Sequence, residues 1–351
     1  MAEKTAVDII SKGVQKGASD VHIIVNCPPV YRVNGRLLSY PEDASLDEQD
    51  IKKLAEDMMP NDMIRERFNK CGQVDFALSF PGVGRARINL YIQRGVWAVA
   101  VRIIPVAIPQ LGSLGLPPIV RELSVKERGL ILVTGATGSG KSTTLAGMLD
   151  FINHTRECNV ITLEDPIEYL HQHGTCIINQ REIGSDTPSF AQGLRSALRQ
   201  DPDIIMVGEM RDLETISIAI TAAETGHLVL ASLHSGGAVP TLERIIDVFP
   251  PHQQPQVRLQ LATCLLGIIS QQLIPSREGD SRLLAAEILV MNSAIRNMIR
   301  ANKVHQIYSA IQTGASQGMI SMYKAVQMLS RQNKISPERA DKVSEEQGVY
   351  I

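Results

Sequence analysis

Gly135, Ala136, Thr137, Gly138, Ser139, Gly140, Lys141 and Ser142, followed by Thr143, fit G-x-x-x-x-G-K-[ST], a spacing suited to holding phosphate. The glycines let backbone N–H groups curl round phosphate oxygens, and a helix opening at Thr143 adds the positive end of its dipole. Lys141 is then placed for the β and γ phosphates of ATP and Ser142 for magnesium. The apolar strand at 130–133 supplies the context this chemistry requires.

Hydrolysis also needs one carboxylate near the magnesium and another to orient or deprotonate water, both at strand ends beside the loop. Two segments qualify: Asp203-Ile-Ile-Met-Val-Gly-Glu209, and Val160-Ile-Thr-Leu-Glu164, which Asp165 and Pro166 close. Gly208 stands where such a metal-binding strand often carries aspartate, so Glu209 is expected to reach magnesium through water. Glu164 is then the candidate general base. Both acids also have a plainer use, capping loops or pairing with Arg181 and Arg211.

His227 and His234 lie seven residues apart, at either end of an apolar run and on opposite faces of a regular strand. They need not act together, and a histidine at a strand end is more often structural than catalytic. His234 is the better candidate to sense the γ phosphate. His171, His173 and Cys176 are only three candidate metal ligands in one loop, and read better as solvated residues. Arg85, Arg87, Arg94 and Arg102 fall on strands of a hairpin-like unit; they form either a solvated face or guanidiniums that cross an interface to the phosphates.

These residues need a scaffold. Residues 1–104 mix β-rich runs, at 21–25 and 98–104, with a helical stretch at 46–59, an α+β domain. Pro105, Pro109, Gly112, Gly115, Pro117 and Pro118 predict a linker over 105–118. From 119 to 275, strands at 129–134, 159–163, 203–207 and 228–232 alternate with helices, predicting an α/β domain with a largely parallel sheet. One helix, at 213–225, has Asp212 to cap it and Gly226 to end it, with Ile216, Ile220 and Ala223 toward the sheet. The apolar run 261–269 predicts a buried helix, too short to span a membrane. Periodic runs at 293–301, 319–331 and 336–346 predict a helical C-terminal subdomain over 276–351, without strands.

With 351 residues, two domains plus an appendage are expected. A net charge of -2 provides no global field for nucleic acid or an anionic membrane, and aromatics at 4% give no stacking channel. The first residues carry no basic stretch followed by an apolar one, so the chain is expected to stay in the cytosol. Five scattered cysteines without a Cys-x-x-Cys pair imply reduced, largely buried thiols.

Taken together, the boxes resemble those of the secretion-type traffic ATPases, and within them the type IV pilus retraction ATPases (PilT-type). Gly17-Ala-Ser-Asp-Val-His-Ile23 is similar to an N-terminal signature of that family, and 135–143 to its Walker A loop. The segment 161–168 is similar to its aspartate box, 178–184 to its intervening pattern, 201–212 to its Walker B segment and 226–235 to its histidine box. The resemblance implies a RecA-like P-loop ATPase core, a PAS-like N-terminal domain and a homohexameric ring. It also implies that Glu164 is the catalytic glutamate, Glu209 the Walker B acid and His227 with His234 the histidine pair. Arg87, Arg94 and Arg102 match its N-terminal arginines.

The helix 294–300 resembles one found in retraction enzymes, although Met298 replaces a commoner leucine. Assembly and secretion members carry a long N-terminal extension and a four-cysteine zinc element, and this chain is expected to have neither. Ser321-Met-Tyr-Lys324 departs from the usual threonine-methionine-aspartate run, leaving room for a specialised paralogue. The resemblance therefore implies an ATP- and magnesium-dependent motor for pilus retraction, peripheral at the cytoplasmic face of the inner membrane. A platform protein and paralogous ATPases are its implied partners. The alternatives are a pilus extension or type II secretion ATPase, or a non-hydrolysing regulatory ring subunit.

Overall fold

The computed structural model describes residues 5–33, 35–104, 107–279 and 281–346. The chain divides into two compact units, Met1–Ala107 with Glu168–Leu170, and Ile108–Ile167 with His171–Ile351. Pro105 and Val106, the first residues of the expected linker, lie outside the described residues.

The first unit runs α1 (Ala6–Gln15), β1 (Ala18–Ile23), β2 (Val30–Val33), β3 (Arg36–Leu38), α2 (Glu48–Met58), α3 (Asp62–Cys71), β4 (Gln73–Phe80), β5 (Gly84–Gln93) and β6 (Val96–Ile104). Local chemistry sets the helix ends: Thr5 with Asp8, and Asp47 with Asp50, form capping boxes at α1 and α2. Gly72, in the left-handed conformation, ends α3. The strands pair antiparallel in the order β3-β2-β1-β6-β5-β4. Period-two alternation buries Val21, Ile23, Ile88, Leu90, Val99 and Val101 against Ile9, Ile10, Ile51 and Phe68 of the helices. Asp20, Asp75, Arg87, Asn89 and Arg102 line a polar hollow formed by the same strands.

The second unit begins with α4 (Ile119–Ser124), β7 (Gly129–Thr134), α5 (Lys141–Asn153), β8 (Asn159–Glu164), β9 (Ile177–Glu182), α6 (Phe190–Ala197) and β10 (Ile204–Val207). It continues through α7 (Leu213–Glu224), β11 (Leu228–Leu233), α8 (Ala238–Asp247), α9 (Gln254–Cys264), β12 (Leu265–Pro275) and β13 (Arg282–Val290). Four helices close it: α10 (Ser293–Arg300), α11 (Ile307–Thr313), α12 (Met322–Arg331) and α13 (Pro337–Glu346). The sheet order is β13-β12-β7-β11-β10-β8-β9, parallel except where β13 returns antiparallel along β12. Alternate residues of one strand serve opposite cores. Leu130 and Leu132 join Ile216, Leu242 and Leu261 on one face; Ile131 and Val133 join Leu145, Met148 and Ile152 on the other. Each fully buried aliphatic side chain contributes about 1.5–3 kcal/mol. This is the α/β architecture with a parallel sheet that the alternation predicts.

Two expectations are corrected. The apolar run 261–269 is not one helix: α9 stops at Cys264 and the chain continues as β12. Buried on both faces, β12 shows no alternation, and a short apolar run of that kind reads equally as helix or strand. The C-terminal part is not free of strands, because residues 282–290 form β13. Its run Leu283-Leu-Ala-Ala-Glu-Ile-Leu-Val290 follows a turn signal at Gly279, and the full ladder with β12 decides the outcome.

Candidate active site

The loop 135–140 joins β7 to α5 at the carboxyl edge of the sheet, and glycine is required there for two distinct reasons. Gly138 and Gly140 have φ of +77° and +90°, which side-chain-bearing residues seldom adopt. Gly135, with φ of +145°, has no room: a Cβ there would sit 2.4 Å from the Gln271 carbonyl oxygen and 2.4 Å from Ser139 Oγ. Helix α5 opens at Lys141, two residues before the expected Thr143, with Gly140 as its cap. Lys141 is only 8% exposed, and its ammonium donates to the carbonyls of Gly135 and Ala136, each at 3.0 Å. The Ser139 and Thr134 hydroxyls are buried without a hydrogen-bond partner among the described residues. Such buried groups are normally satisfied, so this loop is shaped for oxygens from outside the chain.

The strand order places the remaining groups. β11 lies beside β7 in register, Leu233 opposite Thr134, so His234 emerges next to the loop. β10 and β8 follow, ending beside Glu209 and in Glu164. His234 Nε2 is 3.3 Å from Glu209 Oε2, and Arg211 Nε is 2.6 Å from the other carboxylate oxygen, with the Glu209 side chain 13% exposed. The plainer use foreseen for Glu209, pairing with Arg211, is therefore present alongside its contact with the histidine. Arg181 donates instead to the Asp186 carbonyl at 2.9 Å.

Glu164 is 7% exposed and its Oε1 accepts from Thr162 Oγ1 at 2.7 Å and Gln180 Nε2 at 3.0 Å. Gln180 Oε1 accepts from the His171 backbone N–H at 2.8 Å, which fixes the amide orientation and aims its N–H at the carboxylate. Sequence reasoning singled out neither Thr162 nor Gln180 as a partner of this acid. Thr162 was within reach, two residues before Glu164 and on the same strand face; Gln180 requires the β8–β9 register. Also missed was Gln271, buried on β12, whose amide donates to Thr144 Oγ1 of α5 at 2.6 Å.

Gly208 gains a physical reason. A Cβ there would lie 3.1 Å from the Leu163 carbonyl oxygen and 3.3 Å from Glu164 Cα. The departure from aspartate is thus tied to how closely β10 approaches the end of β8.

The other predicted site residues lie elsewhere. His227 precedes β11, at the opposite end of the strand from His234, and its Nδ1 is 2.9 Å from the Ala222 carbonyl. In the first unit Arg87 pairs with Asp75 at 3.6 Å and Arg102 with Asp20 at 3.0 Å. Arg94 occupies the turn between β5 and β6 with φ of +52°. Burial raises the Asp20 pKa, but the Ser19 hydroxyl and Arg102 outweigh it and hold the carboxyl below its ordinary value. In the His171, His173 and Cys176 loop, His173 is exposed as expected, and the reading is corrected at Cys176. Cys176 is 2% exposed rather than solvated, and His173 Nδ1 accepts from the Ile178 N–H at 3.1 Å. Among the described residues no cluster of metal-ligating groups is present.

Beside the loop, a cavity of about 950 Å³ is lined by Gly140, Thr143 and Thr144. Apolar side chains including Leu114, Leu273 and Met328, and the polar Lys324 and Gln332, complete it. That combination suits a flat heterocycle and its sugar.

A parallel sheet with a glycine-rich phosphate loop at its carboxyl edge, flanked by two acids and a histidine, defines a P-loop nucleotide-binding protein of the α/β class. The family model for type II/IV secretion system proteins matches residues 1–347, and the chain belongs to that family. Among its relatives, the type IV pilus retractation ATPase PilT of Pseudomonas aeruginosa is 46% identical over 336 residues, 95% of this chain and 96% of that protein. The type IV pilus ATPase PilU of the same organism is 40% identical over 327 residues, 93% and 85% of the two chains. A crystal structure of the pilus retraction motor PilT with bound ADP matches with a TM-score of 0.91 at 47% identity, covering 97% of each chain.

Proposed function

We propose that this chain is a magnesium-dependent ATPase that works as a homohexamer and powers retraction of type IV pili. The observation that carries the hydrolytic part is the gathering of Lys141, Glu164, Glu209 and His234 at one sheet edge around a phosphate loop with a buried Ser139 hydroxyl that no described residue satisfies. The pilus part is supported by likeness to the retraction ATPase PilT along nearly the whole of both chains.

On this reading the N–H groups of 136–143 hold the phosphates, and Lys141 exchanges its two loop carbonyls for phosphate oxygens. Ser142 and, through water, Glu209 would hold magnesium, hard oxygen donors of the kind it favours. That ion would neutralise charge on the β and γ oxygens. Glu164, held by Thr162 and Gln180, takes the proton of the attacking water as general base. His234 reports the γ phosphate to Glu209. Roles for His227 and for Arg87, Arg94 and Arg102 rest on the family resemblance. The nucleoside occupies the cavity beside Thr143. The ring is assigned to the cytoplasmic face of the inner membrane, acting through a platform protein beside paralogous ATPases. Among the described residues no helix is long and apolar enough to cross a membrane.

Steady-state phosphate release by the assembled protein with magnesium-ATP tests the proposal. The parent should turn over, and Lys141→Ala should abolish turnover. Glu164→Gln should lower kcat by about 10²–10⁴, the usual share of a general base, while still binding nucleotide. Chelating the magnesium should stop the reaction. A parent that binds nucleotide without hydrolysing it would instead make the chain a regulatory ring subunit. In cells, deletion should leave excess surface pili; loss of pili would point to an extension motor.

A further inference from the structure

The sheet holds a second chemically competent pair, at the end of β8 remote from Glu164. Cys158 immediately precedes β8 and Cys176 immediately precedes β9. The parallel ladder that pairs Asn159 with Ile177 extends one step further back, where the Ile177 N–H donates to the Cys158 carbonyl at 3.0 Å. The two cysteines are thus side by side on neighbouring strands, and their sulfurs are 3.1 Å apart. Cysteines on adjacent paired strands have Cα separations of about 5 Å, inside the range a disulfide spans.

The surroundings hold this arrangement without filling another role. Cys176 is anchored to the end of α5: its N–H donates to Asn153 Oδ1 at 3.2 Å, and its thiol faces the Arg156 carbonyl at 3.1 Å. Neighbouring Thr175 and Gly174 also bond to Asn153. Cys176 is buried, whereas Cys158 is only partly covered. Two thiols alone fall short of a structural zinc site, and among the described residues no further ligand joins them. Burial first, then the neighbouring Cys176, pushes the Cys158 thiol up to about 12, so Cys158 is not set up as a catalytic thiolate.

We propose that Cys158 and Cys176 form a reversible dithiol modification site that closes to an intrachain disulfide by exchange with a small-molecule disulfide. The more accessible Cys158 attacks through its small thiolate fraction, its proton going to solvent, so closure is slow and is read at long incubation. A mixed disulfide forms and one small thiol leaves. Cys176 then attacks the Cys158 sulfur, forming the intrachain bond and releasing the second small thiol. Both cysteines are oxidised, the small disulfide is reduced to two thiols, and excess dithiol reverses the sequence. The product ties the start of edge strand β9 to the start of β8, and through Asn153 to the end of the phosphate-loop helix.

The full-length protein would be incubated with oxidised glutathione, quenched by alkylation and mapped by mass spectrometry. The expected result is a crosslinked pair of peptides bearing Cys158 and Cys176, lighter by two hydrogens, lost on dithiothreitol treatment and absent from Cys158→Ser and Cys176→Ser. Cys71, which is exposed, serves as the internal control, since it should take up glutathione under the same conditions. If Cys71 reacts while Cys158 and Cys176 both remain open to alkylation, the proposal is wrong. Stable glutathionylation of Cys158 without closure onto Cys176 would overturn it equally. Because the readout is covalent mass, it is independent of whether the chain hydrolyses ATP.

Discussion

Glu164 shows how much of a candidate base lies outside its own side chain. Thr162 fixes it from the same strand, while Gln180 reaches it from β9 with an amide already oriented by the His171 N–H. Hydrogen bonds to a carboxylate contribute roughly 1.5–3 kcal/mol each, enough to hold the acid in one rotamer. Gln180→Leu should therefore lower kcat by about tenfold or more with a smaller change in KM, because the phosphate loop is untouched. Full-range phosphate-release kinetics separate the two parameters, and an unchanged kcat would show that Thr162 alone suffices. Gln180→Glu would set a second carboxylate beside Glu164 and should be worse than Gln180→Leu.

Between elements, spacing is set by glycine. Gly208 lets β10 close on the Leu163–Glu164 backbone, and a Cβ at 3.1 Å from a backbone carbonyl cannot be relieved by a side-chain rotation. Gly208→Ala should destabilise the second unit by about 1–3 kcal/mol, as overpacking does, and should also reduce turnover by displacing Glu164. Chemical denaturation together with phosphate release checks both. Stability lost without loss of activity would mean that the strands separate away from the acid. The same logic operates at Gly135, where Gln271 presses on the loop from β12.

For the molecule as a whole, one half-buried imidazole sets an acid limit on stability. Burial pushes the His171 pKa down to about 4, with Asp150 opposing weakly, against an ordinary value near 6.5. Above that ordinary value both folded and unfolded forms are neutral and the residue has no effect. As pH falls from about 6.5 toward 4, the unfolded chain takes up a proton that the folded chain refuses, so stability falls by up to roughly 3 kcal/mol. Melting temperatures recorded from pH 7 to pH 4.5 should decline, and His171→Gln should flatten that decline. An unaltered slope in the variant would place the acid sensitivity on other groups.

The phosphate loop, both acids and the predominantly parallel sheet were legible in the sequence because each depends on short-range pattern: glycine spacing, apolar runs ending in an acid, strands alternating with helices. His234 was legible as a candidate from its place at the end of an apolar run, and the family resemblance added the histidine box around it. Two features were fixed only in three dimensions. β12 and β13 emerged from a doubly buried run whose helix and strand readings are locally equivalent, and a long-range ladder chose between them. Gln180 and the Cys158–Cys176 pair become neighbours of their partners through strand register across 16 and 18 positions of chain, and Gln271 meets Thr144 of α5 across 127. The separation of the two histidines, by contrast, was legible in their seven-residue spacing, and β11 carries one to each of its ends. Sequence determines what a residue can do locally, whereas the order of strands determines which residues it meets, since hydrogen-bonded register acts between segments that share no local code.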